Sequence, residues 1–376
     1  QILHKLDRNE RLLIGFSVFH GLSQLFLGTF VVSFLIRSSI NEILSVSLYN
    51  LFFYIAIVLT FVLMIDICKR GNIKVVFGCH IIVQIFLVIL IALLGENVTN
   101  WVMVLGILYG VQRALYEMSA QQMIIDKVSA KRMVFFYGTD SAITNIAKIV
   151  IPVMLGALIT IGSLQSMAWV MAVIGLIELL MLFMLSSSKS QKNSRADLMG
   201  FVKFAVNFPC VRKLFLAEIL RGLAYILETV SIMYIVYIFH TDMNLGLWTT
   251  VFAIFTSTAT WLFGRFCSKR DFKWVISLSS ILLMLAIIYL MFDVNRFSTI
   301  AFCGTLALEI KMLDQVCTVN VLNLARTKFI TKQYRAEYLA ARQVVSFIGR
   351  WGGILSLLYI GVFSGYKILP YLIVIL

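Results

Sequence analysis

The stretch Trp101–Gln121, WVMVLGILYGVQRALYEMSAQ, decides how the chain is read. It is apolar and long enough to cross a bilayer as a helix, yet it carries Arg113 and Glu117 in its interior. A charge at that depth costs about 2.5–3.5 kcal/mol on insertion scales, so chains place one only where it faces protein or a wet cavity. Arginine and glutamate four residues apart lie on one helix face and partly neutralise each other. The span therefore reads as one wall of a polar pathway, with the other apolar spans as its frame.

The composition agrees. Of 376 residues, 61% are hydrophobic and 13% charged, with a mean hydropathy of +0.95. A soluble domain of this size cannot hide so much apolar surface, so the chain is a polytopic membrane protein. No pattern of basic segment, short apolar core and cleavage site precedes the first span, so no cleaved signal is expected. The net charge of +14 would suggest nucleic acid in a soluble protein; here it reports topology, and no nucleic-acid partner is expected. One side of the membrane holds Lys5, Arg8 and Arg11, the clusters at 69–74 and 127–132, and the basic residues of 189–213, 265–273 and 326–335. The other side has only Arg37, Arg296 and Lys367. The positive-inside rule then puts both termini and the central loop in the cytoplasm, with the plasma membrane the expected location. The six cysteines lack metal-ligand spacing and read as small buried hydrophobes, so neither metal nor cofactor is expected.

Apolar stretches fall at 11–36, 43–66, 75–94, 101–121, 134–160, 166–186, 212–239, 245–266, 274–292, 297–322 and 336–362, with a twelfth opening at 368. Residues 368–376 are too few to cross a bilayer, and the expectation is that the twelfth helix is completed beyond this sequence. Residues 187–211 form the one long polar connection. Within it, Leu198, Phe201, Val202, Ala205 and Phe208 recur at helical spacing and predict a short amphipathic helix on the inner membrane surface.

The halves also repeat, at an offset of about 200 residues. RLLIGFSVFHGLSQ from Arg11 aligns with RKLFLAEILRGLAY from Arg212, ICKRGNIKVV from Ile67 with FCSKRDFKWV from Phe266, and Lys148 with Arg350. Three matches in one order at one offset predict an N-terminal six-helix bundle at 1–186, a cytoplasmic linker at 187–211 and a C-terminal six-helix bundle at 212–376. Parallel-repeat transporters have this layout, with their site at the midplane between the halves.

With that layout the chain resembles the major facilitator superfamily over essentially its whole length. The family's loop signature after the second span, Gly-x-x-x-Asp-(Arg/Lys)-x-Gly-x-(Arg/Lys)-(Arg/Lys), is matched here by Lys69, Gly71 and Lys74. The second copy keeps Gly264, Lys269 and Lys273. The resemblance implies an all-helical integral membrane fold of twelve helices in two pseudo-twofold-related sixes. It also implies that spans one, four, seven and ten line a central cavity. The charges fit that scheme, since spans three and nine contain no Asp, Glu, Lys or Arg, while Glu178 in span six is the exception. Many proton-coupled antiporters of the family carry Arg-x-x-x-Gly in the fourth span; Arg113 matches the arginine, and Glu117 stands at the glycine.

The candidate site residues are ionisable or polar groups inside spans. Asp140, Glu218, Arg221, Asp314 and Arg342 lie in the inner thirds of their helices and are expected to form gate salt bridges; Arg113 and Asp314 are repeat-equivalent and could pair. Lys148, Glu228, Glu309 and Arg350 are expected nearer the membrane centre. Two bases at repeat-related positions can grip an anion from both sides, and the reading that they pair instead with Glu228 and Glu309 stands beside it. Lys311 joins the coupling or gating set with Arg113, Glu117, Asp140, Arg221, Asp314 and Arg342. His20 and Gln24, one turn apart in span one, either contact substrate or pack between helices. Glu228, Glu309 or Glu117 could carry a proton.

No nucleotide-binding loop, HExxH or nucleophile elbow occurs, so pumping by ATP and common membrane proteolysis lack their parts. The expectation is a monomeric secondary transporter, not an enzyme. It would move an organic, anionic or zwitterionic solute by rocker-switch alternating access, with protons and membrane lipids as its other partners. An exporter or flippase of an amphipathic compound or lipid-linked headgroup is the alternative within transport. An integral-membrane transferase is the alternative outside it, and the scattered histidines do not supply its catalytic cluster.

Overall fold

The structure, a computed structural model, describes residues 6–70, 73–128, 133–186, 200, 203, 205, 207–266, 272–325 and 335–363, and these contain helices and turns but no strand. The first helix, α1 (Arg8–Ser38), opens with a capping box in which Asp7 is the N-cap and Glu10 Oε2 accepts the Asp7 N–H at 2.9 Å. At Phe26–Phe30 it widens into one π-helical turn, with Gly28 in the middle. A Cβ at Gly28 would lie 3.0 Å from the Tyr109 hydroxyl, so the missing side chain lets that hydroxyl approach the backbone.

Helices α2 (Glu42–Arg70), α3 (Ile73–Leu94), α4 (Val102–Lys127), α5 (Met133–Ile161) and α6 (Leu164–Met184) follow. The next, α7 (Pro209–Phe239), starts on a proline whose missing N–H costs nothing in a first turn, and is interrupted at Tyr225. Tyr225 aligns with Gln24 of the first repeat, so the π-turn of α1 and the break of α7 fall at nearly the same point of the repeat. Helices α8 (Asp242–Phe266), α9 (Phe272–Phe292), α10 (Arg296–Ala325) and α11 (Arg335–Phe363) complete the described set. Each of the first eleven expected spans has its helix. The expected twelfth lies outside the described residues, as does most of the expected surface helix at 196–208. Among the described residues, seven stretches are long and apolar enough to cross a membrane, including Arg8–Ser38, Ile73–Ala120 and Pro209–Phe239.

The chain divides into two compact units, each with its own packing. The first comprises Gln1–Ile40, Leu48–Ala196 and Thr241–Thr250; the second comprises Asn41–Ser47, Asp197–His240 and Val251–Leu376. In the first unit α3 packs along α6 and α4, and α1 packs on α5. Leu13, Phe16, Phe77, Ile81, Phe136 and Leu182 form its buried apolar core. Lys74, one of the loop-signature residues, donates from Nζ to the Leu185 carbonyl at 2.6 Å, which places a cation at the C-terminal end of α6. In the second unit the first segment of α7 packs along α11, and α9 packs along α10. The α7–α11 contact is backbone to backbone: a Cβ at Gly222 would lie 2.1 Å from the Ser346 carbonyl oxygen, and one at Gly349 2.0 Å from that of Ile219. Along α9, Leu278, Ile281 and Leu285 are exposed, as expected of a surface covered by lipid.

Candidate functional site

In the first unit, polar side chains from four helices join in one chain of hydrogen bonds. Tyr109 Oη on α4 donates to Gln24 Oε1 on α1 at 2.7 Å, and Gln24 Nε2 donates to Gln112 Oε1 on α4 at 3.4 Å. Gln112 Nε2 donates to Gln84 Oε1 on α3 at 2.9 Å, and Gln84 Nε2 donates to Glu178 Oε2 on α6 at 2.8 Å. Gln84, Gln112 and Glu178 are fully buried. Every amide oxygen accepts from one neighbour while its nitrogen donates to the next, so the whole chain points toward the carboxylate. His80 Nδ1 lies 2.9 Å from the Gln112 carbonyl oxygen. A carbonyl only accepts, so the proton sits on Nδ1. His20 stacks face to face on Tyr116 at 3.4 Å, and the His80 ring packs against Tyr116 at 5.1 Å and edge-on to His20 at 5.7 Å. Arg113 Nε donates to Glu117 Oε1 at 2.9 Å, its guanidinium lies 5.7 Å from the Phe53 ring, and it reaches the Tyr109 hydroxyl.

The second unit is built from charge. Glu218, fully buried on α7, pairs with Arg221 at 2.6 Å and accepts from Arg342 Nε on α11 at 2.7 Å. Arg221 also pairs with Asp314 on α10, whose other oxygen accepts from Tyr225 Oη at 2.7 Å. The Arg350 guanidinium lies 4.2 Å from the Tyr225 ring and 4.8 Å from that of Phe347, with Arg350 itself 8% exposed. One connected cluster thus runs from Arg342 through Glu218, Arg221, Asp314 and Tyr225 to Arg350. Arg113 and Asp314, repeat-equivalent in sequence, are each held by a partner in their own unit.

Lys148 on α5, Glu228 on α7 and Lys311 on α10 are exposed, and Asp140 on α5 is half-buried. Glu309 on α10 is buried and accepts from Ser280 Oγ on α9 at 2.8 Å. His20 and Gln24 are brought together with Tyr109, Gln112 and Tyr116, as the relation of spans one and four implies.

Three features were not legible in advance. Gln84 and Gln112 are neutral residues inside apolar runs, and only their rarity there signals a role. Tyr225 looks like one more span aromatic. Asp242, at the start of α8, looks like a helix flank; it is 5% exposed and takes a hydrogen bond from Ser33 Oγ at 2.9 Å together with an ion pair from Arg37. Beside this pair, within the first unit, lies a cavity of about 330 Å³ lined by Phe30, Phe34, Ile159 and Ser163.

Long apolar helices around buried ion pairs and a buried amide chain define a multi-pass membrane transporter. The chain belongs to the Major Facilitator Superfamily, whose family model matches residues 13–354. It is a transporter and not an enzyme. No curated protein sequence matches it. Among solved structures, the chain is similar to a variant of the nucleoside transporter NupG, with a TM-score of 0.73 at 13% identity over 98% of this chain and 96% of that one. It is also similar to a bacterial homologue of the iron transporter ferroportin in an inward-facing state, at 0.68 and 16% over 98% and 95%. The E. coli fucose:proton symporter FucP follows at 0.63 and 14%, over 97% and 94%. Identities this low establish the shared fold.

Proposed function

We propose that the chain is a proton-coupled secondary transporter that moves an organic anion or zwitterion by rocker-switch alternating access between bundles at 1–186 and 212–376. It works as a monomer in the plasma membrane with both termini cytoplasmic. The observation that supports an anionic substrate is Arg350. A guanidinium faced by two aromatic rings directs its N–H donors in its own plane, and that is the geometry that holds a carboxylate or phosphate in two parallel bonds. Lys148, its repeat equivalent, is exposed on α5 and supplies a second positive charge. Glu228, Glu309, His20 and Gln24 are assigned to the remaining substrate contacts. Arg113, Glu117, Asp140, Arg221, Lys311, Asp314 and Arg342 are assigned to coupling and gating. The Arg37–Asp242 pair is a further gating contact.

Counterflow in proteoliposomes, against a panel of organic anions, zwitterions, neutral nucleosides, sugars and amphipaths, tests the reading. An anion or zwitterion is expected to exchange, and a pH gradient is expected to drive its accumulation. Arg350→Lys keeps the charge but loses the planar fork, and Lys148→Ala loses the charge. Each is expected to slow exchange about tenfold or more, since a charge-assisted hydrogen bond contributes about 1.5–3 kcal/mol. Exchange of neutral solutes alone, or full activity in both variants, overturns the anion site.

A further inference from the structure

The carboxylates set among these helices are not equivalent. Glu218 is held by Arg221 and Arg342, Asp314 by Arg221, Asp242 by Arg37 and Glu117 by Arg113. Each has a cation beside it. Glu178 is different. Among the described residues no lysine or arginine pairs with it, and the partner it has is the neutral amide of Gln84. The titratable groups facing this layer are His80 from α3, His20 from α1, Tyr116 from α4 and Asp140 from α5, with Tyr116 in the field of Asp140, Glu178 and Glu117. Glu309 also lacks an ion-pair partner among the described residues, but its contact ends at the Ser280 hydroxyl. Among the described residues, only Glu178 terminates a chain of hydrogen bonds that reaches α1 and α4.

That chain has two polarities. As observed, Tyr109, Gln24, Gln112 and Gln84 all donate in the direction of Glu178, the arrangement an ionised carboxylate requires, because it can only accept. A protonated carboxyl has a hydrogen to donate. Along the chain, Glu178 faces the Gln84 Nε2 donor, while the Gln84 Oε1 acceptor is directed at Gln112. The new hydrogen finds an acceptor in the chain when the three amides turn over, since a half-turn of a glutamine amide exchanges oxygen and nitrogen with almost no change of shape. Glu178 then donates to Gln84, Gln84 to Gln112, Gln112 to Gln24, and Gln24 Nε2 to Tyr109 Oη. In a buried network of this kind an unmatched donor or acceptor loses a hydrogen bond with nothing to replace it, so the amides turn together and not one at a time. The Tyr109 hydroxyl must give up its donation to Gln24, and it is also the atom that Arg113 reaches and that stands against Gly28 in the π-turn of α1.

We propose that Glu178 is the proton-binding site of this transporter and that Gln84, Gln112 and Gln24 turn with its protonation, reporting it to Tyr109 and Arg113. The proton comes from water and returns to water; the amides rotate and pass no proton between them. The binding of the proton stands on the geometry alone, while its role in coupling rests on the proton-coupled transport proposed above.

The test is pH-difference infrared spectroscopy of the full chain in proteoliposomes, which needs no substrate. The wild type is expected to gain a protonated-carboxyl carbonyl band on acidification, together with a change in glutamine side-chain amide bands and in the phenol mode that Tyr109→Phe removes. The other carboxyls give bands of their own, so the reading is the wild-type spectrum minus that of Glu178→Gln: the variant is expected to lose one carboxyl component and, with it, the amide and phenol changes. Should that variant fail to fold, Gln112→Leu serves: it interrupts the chain beyond Gln84, so the carboxyl component is expected to stay while the Tyr109 signal disappears. No carboxyl component missing from Glu178→Gln, one present at every pH, or a Tyr109 mode indifferent to the carboxyl titration overturns the proposal. Wild-type protein that titrates as expected, yet whose counterflow ignores a pH gradient, overturns proton-coupled transport and leaves the relay standing.

Discussion

The two units satisfy their buried polar groups in opposite ways at related places in the repeat. In the first, His20 lies flat on Tyr116 and Gln24 is bonded to Tyr109 and Gln112. In the second, the equivalent of His20 is Arg221, paired with Asp314, and the equivalent of Gln24 is Tyr225, bonded to Asp314 and covering Arg350. An ion pair in a dry interior holds one arrangement, because parting it strands two charges. An amide chain holds two arrangements of similar energy, because each glutamine can donate and accept at either end. The difference teaches that duplicated helices have diverged into a stiff electrostatic clasp in one unit and a reversible polar relay in the other.

The sharpest way to break that comparison is to remove a carboxylate from each network. Glu218→Ala leaves Arg221 and Arg342 without their shared buried anion and is expected to cost about 3–5 kcal/mol, the range for breaking a buried pair from one side. Glu178→Gln replaces an acid by an amide of the same shape inside a network of amides and is expected to cost under about 1 kcal/mol, the scale of one neutral hydrogen bond. Thermal unfolding of both variants in one detergent measures the difference. Equal losses would mean that Glu178 is clamped as firmly as Glu218.

Backbone contacts provide the second comparison. Gly349→Val forces a side chain to within 2.0 Å of the Ile219 carbonyl oxygen, and main chain on a packed helix has nowhere to go. The expected cost is about 1–3 kcal/mol, with α7 displaced from α11. Gly28→Ala meets the Tyr109 hydroxyl at 3.0 Å, the far end of a side chain that can retreat by a few tenths of an ångström. Its cost in unfolding is expected to be smaller than that of Gly349→Val, and its larger signature is a weakened Tyr109–Gln24 bond, read as a shift of the Tyr109 phenol mode. A greater loss from Gly28→Ala would show that the π-turn is rigid.

How far these networks can be read before the structure depends on the kind of residue. Charges within apolar spans announce themselves, because each is costly in hydrocarbon, and Arg113, Glu117, Arg221, Asp314, Arg342 and Arg350 were all legible for that reason. Their partners were less so. Arg113 and Asp314 suggested a pair by repeat equivalence, whereas helical spacing already joined Arg113 to Glu117 and the crossing of α7 with α10 joined Arg221 to Asp314. Sequence period fixes which face a residue occupies, but the neighbour on the next helix is a tertiary fact. Gln84 and Gln112 carry little sequence signal because an amide in an apolar run costs far less than a charge and so stands out far less. Asp242 carries none of its own because an acid in a first turn is ordinary helix-terminus chemistry. The π-turn at Phe26–Phe30 has no composition of its own beyond Gly28.

The smallest expected effect is also the finest probe of the contrast, since it takes one oxygen atom from each unit. Tyr225→Phe deletes a donor to the ionised Asp314, and because Asp314 is 26% exposed the loss is expected near the lower end of the range of about 1.5–3 kcal/mol for hydrogen bonds to charge. Tyr109→Phe deletes a donor to a neutral amide and is expected to cost about 0.5–1.5 kcal/mol. The two also differ in kind. Without its hydroxyl, Tyr225 still covers Arg350 with its ring, so Tyr225→Phe should weaken the clasp and leave its geometry intact. Without its hydroxyl, Tyr109 can no longer favour either orientation of Gln24. Tyr109→Phe should therefore leave Glu178 titrating while changing the pH at which it does so, and infrared titration of the carboxyl band reads that shift directly. A carboxyl titration identical in wild type and Tyr109→Phe would mean that the chain ends before Gln24, and that the first unit is as locally pinned as the second.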